Sequence, residues 1–136
     1  MTVIYRELLA DKERARHADA LFGINFPLRL EPAIFDFAGR LSQDYGGGLW
    51  LFYALCNGGF YMAPQSDRRF RVSSENGFEG ELSADALGIT ACLYAYSHLS
   101  FTPVGQFHEA CAEQFHFVRA FALDHPEAAA ILAAID

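Results

Sequence analysis

The sequence predicts an α+β domain in which a central antiparallel sheet is flanked by helices from both ends of the chain. Two aromatic-rich apolar runs are joined by Asn57-Gly58-Gly59, and Asn and Gly tolerate the positive φ that tight hairpin turns require. Apolar residues recur at helical spacing both before and after this hairpin. Strands grouped in the middle with helices on either side are typical of α+β domains, not of βαβ repeats.

Size and composition favour one globular domain over residues 1–136, because 52% of the residues are hydrophobic and 15% are aromatic. We expect a cytoplasmic protein without a membrane segment. The charged N-terminus lacks a secretory signal, and the longest apolar run, 49–56, is far shorter than the ~20 residues needed to span a bilayer. The cysteines are odd in number and widely spaced without a CxxC pair, which is typical of reduced thiols: Cys56, Cys92 and Cys111.

The N-terminal half predicts two helices. The first ten residues fit either an extended or a helical lead-in. Asp11 is a suitable N-cap for a helix that ends near Phe22, where Gly23 stops it. A loop containing Pro27 follows, and a second helix then begins at Glu31-Pro32, because proline suits the first helical position.

Four strands are predicted after these helices, arranged as one antiparallel meander. The first is a continuous apolar run without polar alternation, so we expect it to be central and covered on both faces. Pro64 cannot donate a ladder hydrogen bond and ends the second strand. The predicted strands are about 49–56, 59–64, 69–74 and 78–82.

The register of the second hairpin follows from its side chains. A two-residue turn would place apolar and charged residues on the same face. A three-residue loop, 75–77, with its glycine left-handed, instead pairs Phe70 with Leu82 and Arg71 with Glu81. One face is then apolar and the other carries an opposite-charge pair, so this hairpin should lie near an edge of the sheet.

Three further helices are predicted in the C-terminal half. Ser83 and Asp85 open a helix with a broad apolar stripe that continues to Leu99. After a break at Thr102-Pro103, a fourth helix spans about 106–123. A short last helix covers about 127–135, with Pro126 at its start.

The sequence contains no established catalytic motif: no GxSxG, Walker or HExxH pattern occurs. The best metal candidates are His108, Cys111 and His116, but at ~100° per residue the last two point about 140° apart on one helix. We therefore expect neither a metal site nor a cofactor. The alternative is an unrecognised hydrolase or nucleic-acid-processing enzyme, and its candidate groups are Asp44, Asp85, His116 and His125.

Charge is distributed unevenly along the chain. The net charge is −7, and residues 72–136 contribute −8 while residues 1–71 contribute +1. An acidic half disfavours direct nucleic-acid binding, although Arg68, Arg69 and Arg71 leave a weak DNA-binding domain as a further alternative. Mimicry of DNA is also disfavoured, because a mimic needs dense rows of carboxylates and here ten bases interrupt scattered acids.

Several short motifs match a known family in order and at similar spacing over roughly residues 20–136. The chain resembles the ArdB/KlcA antirestriction family, which plasmids and other mobile elements encode. The most specific match is the octapeptide Asn57-Gly-Gly-Phe-Tyr-Met-Ala-Pro64. The other matching residues are Asp44-Tyr45 with the following glycines and Trp50, Gly80 to Ala86, Gly88-Ile89, His116-Phe117 with Arg119, His125 to Ala130, and Ala134 to Asp136.

The resemblance implies a non-enzymatic inhibitor of type I restriction–modification systems that protects incoming mobile-element DNA. It also implies that the inhibitor does not mimic DNA. Our own hypothesis is that it acts by protein contact, with the type I restriction–modification complex or an associated host factor as the partner. We expect the acidic half to meet a basic surface of a DNA-handling enzyme. The predicted interaction surface comprises Glu75, Asn76, Glu79, Glu81 and Asp85.

Overall fold

The structure is a computed structural model that describes residues 3–136, and within them the chain forms five strands and five α-helices. The strands are β1 (Arg6–Leu8), β2 (Trp50–Leu55), β3 (Phe60–Pro64), β4 (Arg69–Ser73) and β5 (Glu79–Ser83). The α-helices are α1 (Asp11–Phe22), α2 (Glu31–Leu41), α3 (Ala84–Leu99), α4 (Phe107–Ala122) and α5 (Ala128–Ile135). A short π-helix, Phe26–Leu30, lies where a loop was predicted.

The α+β class is confirmed, but the single four-stranded meander is wrong. The strands form two separate antiparallel sheets, a three-stranded sheet in the order β1-β2-β3 and a two-stranded sheet of β4 and β5. All four predicted strands exist, close to the predicted 49–56, 59–64, 69–74 and 78–82. The difference is that β3 does not pair with β4.

Helix side chains take the place of a fourth strand along the outer edge of β3. The Phe60 N–H donates to Gln114 Oε1 at 2.8 Å, and the Tyr96 hydroxyl donates to the Phe60 carbonyl at 2.7 Å. The Met62 N–H lies 3.5 Å from Cys92 Sγ, whose thiol donates back to the Met62 carbonyl at 3.6 Å. Because these backbone groups are already satisfied, β3 has no need of another strand there.

A glycine brings α3 this close to the sheet. A Cβ atom on Gly88 would lie 2.4 Å from Ala63 Cα and 2.5 Å from the Met62 carbonyl oxygen. Any larger side chain at this position would therefore push α3 away from β3.

The other edge of the three-stranded sheet is β1. This strand lies in the N-terminal segment whose sequence fitted either an extended or a helical conformation. Arg6 lies opposite Leu55, and Leu8 lies opposite Tyr53. All three residues of β1 are exposed. A strand with both faces wet has no apolar alternation, so sequence patterning could not identify it.

The predicted register of the second hairpin is confirmed. Phe70 lies opposite Leu82, and Arg71 lies opposite Glu81. Gly77 has a φ of 95°, which is the left-handed conformation that the three-residue loop requires. Phe70 and Leu82 are buried, whereas Arg71 and Glu81 are exposed.

The core lies between the three-stranded sheet and α3, most of whose residues are buried. Two of the three cysteines, Cys92 and Cys111, are in this core, and Cys56 is exposed. Across residues 3–136, no helix is long and apolar enough to cross a membrane.

Candidate functional site

The five residues of the predicted interaction surface separate into two groups. Glu75, Glu79 and Glu81 are exposed on the β4–β5 hairpin. Asn76 is exposed and Asp85 is half-buried, and the side chains of both make hydrogen bonds within the protein. Glu81 also pairs with Arg69, so Glu75 and Glu79 are the carboxylates of the predicted set that have no partner among the described residues.

Asn76 connects the hairpin loop to the end of the last helix. Its Nδ2 donates to the Ala133 carbonyl at 2.9 Å and to the Ala134 carbonyl at 3.3 Å. Its Oδ1 accepts the Phe78 N–H at 3.0 Å. The amide therefore satisfies carbonyls at the C-terminus of α5 that have no partner inside the helix.

Asp85 lies at the start of α3 and joins three distant parts of the chain. Its Oδ1 accepts from Arg6 Nη1 and from the Tyr61 hydroxyl, both at 2.8 Å, while Oδ2 is 2.8 Å from His125 Nε2. Arg6 also donates to the Tyr61 oxygen at 2.6 Å. These four side chains, Arg6, Tyr61, Asp85 and His125, are called the Asp85 cluster below.

Burial and hydrogen bonding act in opposite directions on Asp85. Burial by itself raises the pKa of the carboxyl, but hydrogen bonds from His125 and Tyr61 and the charge of Arg6 outweigh it, so the pKa of Asp85 lies below its ordinary value. Burial, together with the nearby Asp85 charge, raises the pKa of Tyr61. Asp85 is therefore ionised at neutral pH, and Tyr61 remains a protonated donor.

The tautomer of His125 follows from its neighbours. The Glu127 N–H donates to His125 Nδ1 at 3.0 Å, so the ring proton is on Nε2, which donates to Asp85. The histidine side chain is only 8% exposed. With both ring nitrogens engaged, this pair has no free base for proton transfer, and the geometry favours a structural clamp over a catalytic dyad.

The four candidate groups of the enzyme alternative are only partly brought together. Asp85 and His125 are in contact, whereas Asp44 pairs with Arg71 and His116 is exposed on α4. Within the part of the chain that the structure describes, no group of three or more His, Cys, Asp or Glu side chains could hold a metal ion.

A second set of polar contacts extends the Asp85 cluster to the β4–β5 hairpin. The Ser83 N–H and hydroxyl both donate to the Glu127 carboxylate, and Ser83 Oγ accepts the Ala86 N–H as the N-cap of α3. Arg69 lies 3.5 Å from Glu127 and 3.3 Å from Glu81. The start of α3, the start of α5 and the hairpin are thereby fixed to one another.

An open groove of about 670 Å³ lies between the end of α2 and the β4–β5 hairpin. At its side, the Asp44 carboxylate accepts three hydrogen bonds from Arg71: the backbone N–H at 3.0 Å, Nε at 3.2 Å and Nη2 at 3.0 Å. The side-chain and backbone hydrogen bonds of Arg71 lower the pKa of Asp44 to about 2. Glu79 and Glu81 also line this groove.

The arginines of the DNA-binding alternative are largely occupied. Arg69 pairs with Glu81 and Glu127, and Arg71 pairs with Asp44. The Arg68 guanidinium lies 5.8 Å from the centre of the Phe70 ring. Two of the three cations are thus neutralised by carboxylates.

Comparison with known proteins assigns the chain to a family. A family model described as antirestriction protein matches residues 43–136, which include Asp44, Asp85, His125 and the whole β4–β5 hairpin. The chain belongs to the antirestriction protein family. The resemblance of the sequence motifs to ArdB/KlcA proteins is confirmed.

Relatives in this family match nearly the whole chain. Two proteins named antirestriction protein KlcA, both from Escherichia coli, are 46% and 41% identical to it over 132 and 131 residues. These matches cover 94% and 95% of the chain and 90% and 92% of the relatives.

The fold is also shared. A solved structure of KlcA and ArdB proteins matches with a TM-score of 0.91 and 40% identity over 99% of this chain and 96% of that one. Those proteins are described as showing a novel fold and antirestriction activity against type I DNA restriction systems in vivo but not in vitro.

Three residues that take part in these polar contacts were not predicted as site residues from the sequence: Tyr61, Glu127 and Arg6. The first two lie within the family motifs. Glu127 follows His125-Pro126, and Tyr61 lies within the hairpin octapeptide. A buried tyrosine hydroxyl needs a partner, which is a signal that could have paired Tyr61 with a polar group. Arg6 gave no such signal, because it precedes the matching region.

Proposed function

We propose that the protein inhibits type I restriction–modification systems and so protects incoming mobile-element DNA. The observation that carries this proposal is the structural match at a TM-score of 0.91 to KlcA and ArdB, which have that activity in vivo. Residues 1–136 act as one domain in the cytoplasm, without a cofactor and without catalysing a reaction. The fully engaged Asp85–His125 pair supports the non-enzymatic part of the proposal.

Inhibition proceeds through contact with another protein. In the relatives, activity is present in vivo and absent in vitro, which favours a partner that the living cell supplies. A host factor that cooperates with the restriction complex fits this difference better than the isolated complex does. Direct nucleic-acid binding is disfavoured, because Arg69 and Arg71 are held by carboxylates of the same chain.

The contact surface is the exposed acidic side of the β4–β5 hairpin. Glu75, Glu79 and Glu81 make the contact, and Asn76 and Asp85 hold the hairpin and α3 in place beneath it. Exposed carboxylates suit a basic surface, whose charge complementarity would speed association and fix its orientation.

A plating assay tests the function. Unmodified phage is plated on a host that carries a type I system, with and without expression of the chain. We expect the chain to raise plating efficiency on that host and to change nothing on a host that lacks the system, or when the phage DNA is already modified. Equal restriction with and without the protein would contradict the proposed function.

Charge neutralisation tests the surface. The triple variant Glu75→Gln, Glu79→Gln, Glu81→Gln should reduce protection by about tenfold or more, since three interfacial charge pairs at about 0.5–1 kcal/mol each exceed one factor of ten. The matched control, Glu13→Gln, Glu109→Gln, Glu113→Gln, removes the same charge from exposed positions on α1 and α4. Equal protection by both triple variants would reject the hairpin surface.

A further inference from the structure

The backbone of β4 presents hydrogen-bonding groups on the side facing away from β5. The Ser74 N–H donates to the Phe78 carbonyl, so Ser74 and Phe78 form a hydrogen-bonded pair. In an antiparallel ladder every second pair is hydrogen-bonded, and the next such pair is therefore Val72 with Gly80. Arg71 and Ser73 therefore direct their N–H and C=O groups outward. The contact of the Arg71 N–H with Asp44 agrees with this orientation.

One of these outward groups is already occupied in the manner of a neighbouring strand. The Asp44 carboxylate accepts the Arg71 N–H at 3.0 Å, as the carbonyl of an adjacent strand would. Among residues 3–136, no hydrogen-bond partner is found for the Arg71 carbonyl or for the Ser73 N–H and carbonyl. Three consecutive backbone groups thus remain available beside the groove.

The three other outer strand edges are less suitable for adding a strand. The outer edge of β3 is covered by side chains of α3 and α4. Helix α5 is tied to the end of β5 through Glu127 at Ser83, and to the loop before β5 through Asn76 at Ala133. The edge of β1 is exposed, but it is only three residues long, which by itself discourages pairing.

The groove beside β4 has room for a chain in extended conformation. Its volume is about 670 Å³, and Leu41 and Val72 contribute apolar surface. Arg71 is neutralised by Asp44, and Arg40, also in the lining, is 2.9 Å from Asp36. Glu81 pairs with Arg69 at 3.3 Å, so the uncompensated negative charge in the groove comes from Glu79.

We propose that an extended, basic segment of the partner protein adds as a strand to the outer edge of β4. Its backbone bonds to the Arg71 carbonyl and to the Ser73 N–H and carbonyl, and its lysine or arginine side chains lie against Glu79, beside the Arg69-paired Glu81. Strand addition of this kind takes affinity from main-chain hydrogen bonds and specificity from alternate side chains. This inference rests on the proposed function, because it describes how the same partner is bound.

The binding mode is tested with a defined probe, a capped peptide of alternating lysine and valine, titrated into the full-length protein and followed by backbone amide spectra. We expect saturable shifts at residues 71–73 and slower hydrogen exchange of the Ser73 amide. A peptide of alternating glutamate and valine should leave both unchanged. Shifts confined to other strands, or equal effects of the two peptides, would overturn the proposal.

A pair of substitutions at one residue separates the backbone contact from the side chain. Ser73→Pro removes an outward N–H and fixes φ at about −65°. Edge strands tolerate this change, which should weaken binding of the lysine peptide by about tenfold. Ser73→Ala keeps the N–H and should bind as the wild type does. Equal binding by the proline variant, with an intact spectrum, would overturn strand addition. If that variant does not fold, the exchange of the Ser73 amide in the wild type decides the question.

The same variants in the plating assay distinguish the two proposals. Protection by the wild type and by Ser73→Ala, but not by Ser73→Pro, supports strand addition. Equal protection by Ser73→Pro would overturn strand addition and leave the proposed function intact. A wild type that binds the lysine peptide but gives no protection would overturn the proposed function and still support strand addition.

Discussion

Gly88 determines how closely α3 approaches the sheet. The nearest atoms to a Cβ built there belong to the backbone and Cβ of Ala63 and to the Met62 carbonyl, and backbone atoms cannot rotate away as the end of a side chain can. The hydrogen bonds from Cys92 and Tyr96 to β3 depend on this short separation. One missing methyl group thus allows α3 to replace a strand at the edge of β3.

Gly88→Ala should therefore destabilise the protein by at least about 1–3 kcal/mol, the usual cost of overpacking a core. Urea unfolding at 25 °C measures the change. The control is Gly39→Ala on α2, where a Cβ would meet no atom within 4 Å. That change should stabilise by about 0.5–1 kcal/mol, because alanine is the better helix former. A neutral Gly88→Ala variant would contradict the close approach.

Side-chain roles were harder to predict than positions. Asn76 and Asp85 were predicted as surface contacts from their place in a loop and at a helix start, and both positions are correct. Their partners, Ala133 and His125, lie far away in the sequence and gave no sign of proximity. A single sequence shows that a side chain is polar, but not whether its partner is water, another protein or a distant residue.

At the scale of elements, local rules worked and long-range pairing did not. The turn at Gly77 and the alternation in β4 and β5 were enough to give the correct register. The pairing of β3 with β4 failed, because neighbouring strands usually pair and nothing local indicates that a helix occupies the edge. The pairing of β1 with β2 joins residues about fifty positions apart, which also lies beyond local patterning.

Gln114 connects α4 to the β2–β3 hairpin. It is 4% exposed, and its amide accepts the Phe60 N–H at 2.8 Å and donates to the Gly58 carbonyl at 3.0 Å. Gln114→Ala should cost about 1–3 kcal/mol in the free energy of unfolding, because buried backbone groups lose their partners. Its exposed neighbour provides the control, and Glu113→Ala should change stability by less than about 0.5 kcal/mol. Comparable unfolding midpoints for both variants would contradict this role.

At the scale of the whole molecule, the Asp85 cluster holds together segments from both ends of the chain. Arg6 comes from β1, Tyr61 from β3, and His125 from the turn before α5. The Arg6 guanidinium also lies 4.4 Å from the centre of the Tyr53 ring. A half-buried carboxylate with several donors is stabilising only while it stays ionised, so the cluster should make stability depend on pH.

The sign of this dependence follows from the lowered pKa of Asp85. A carboxyl whose pKa is lower in the folded state contributes stability above its unfolded pKa of about 3.9, and loses it as the pH falls towards the folded value. At pH 7, Asp85→Asn should be less stable than the wild type by about 1.5–3 kcal/mol. This difference in the free energy of unfolding should shrink towards pH 3, as measured by urea unfolding of both proteins. Protonation of Asp44 does not contribute to the difference, because both proteins contain Asp44. A difference that is constant from pH 7 to pH 3 would contradict an ionised Asp85.

Two of the three cysteines are buried, so only the third is accessible to a thiol reagent in the folded protein. Burial raises the pKa of Cys92 and of Cys111 to about 12, and the thiolate is the form that alkylating reagents attack. A maleimide fluorophore at neutral pH should therefore modify Cys56 alone in the native protein and all three cysteines after denaturation, as counted by intact-mass spectrometry. Because Cys56 Sγ lies 3.1 Å from the Tyr5 backbone nitrogen, the attached dye would report directly on whether the N-terminal strand is docked.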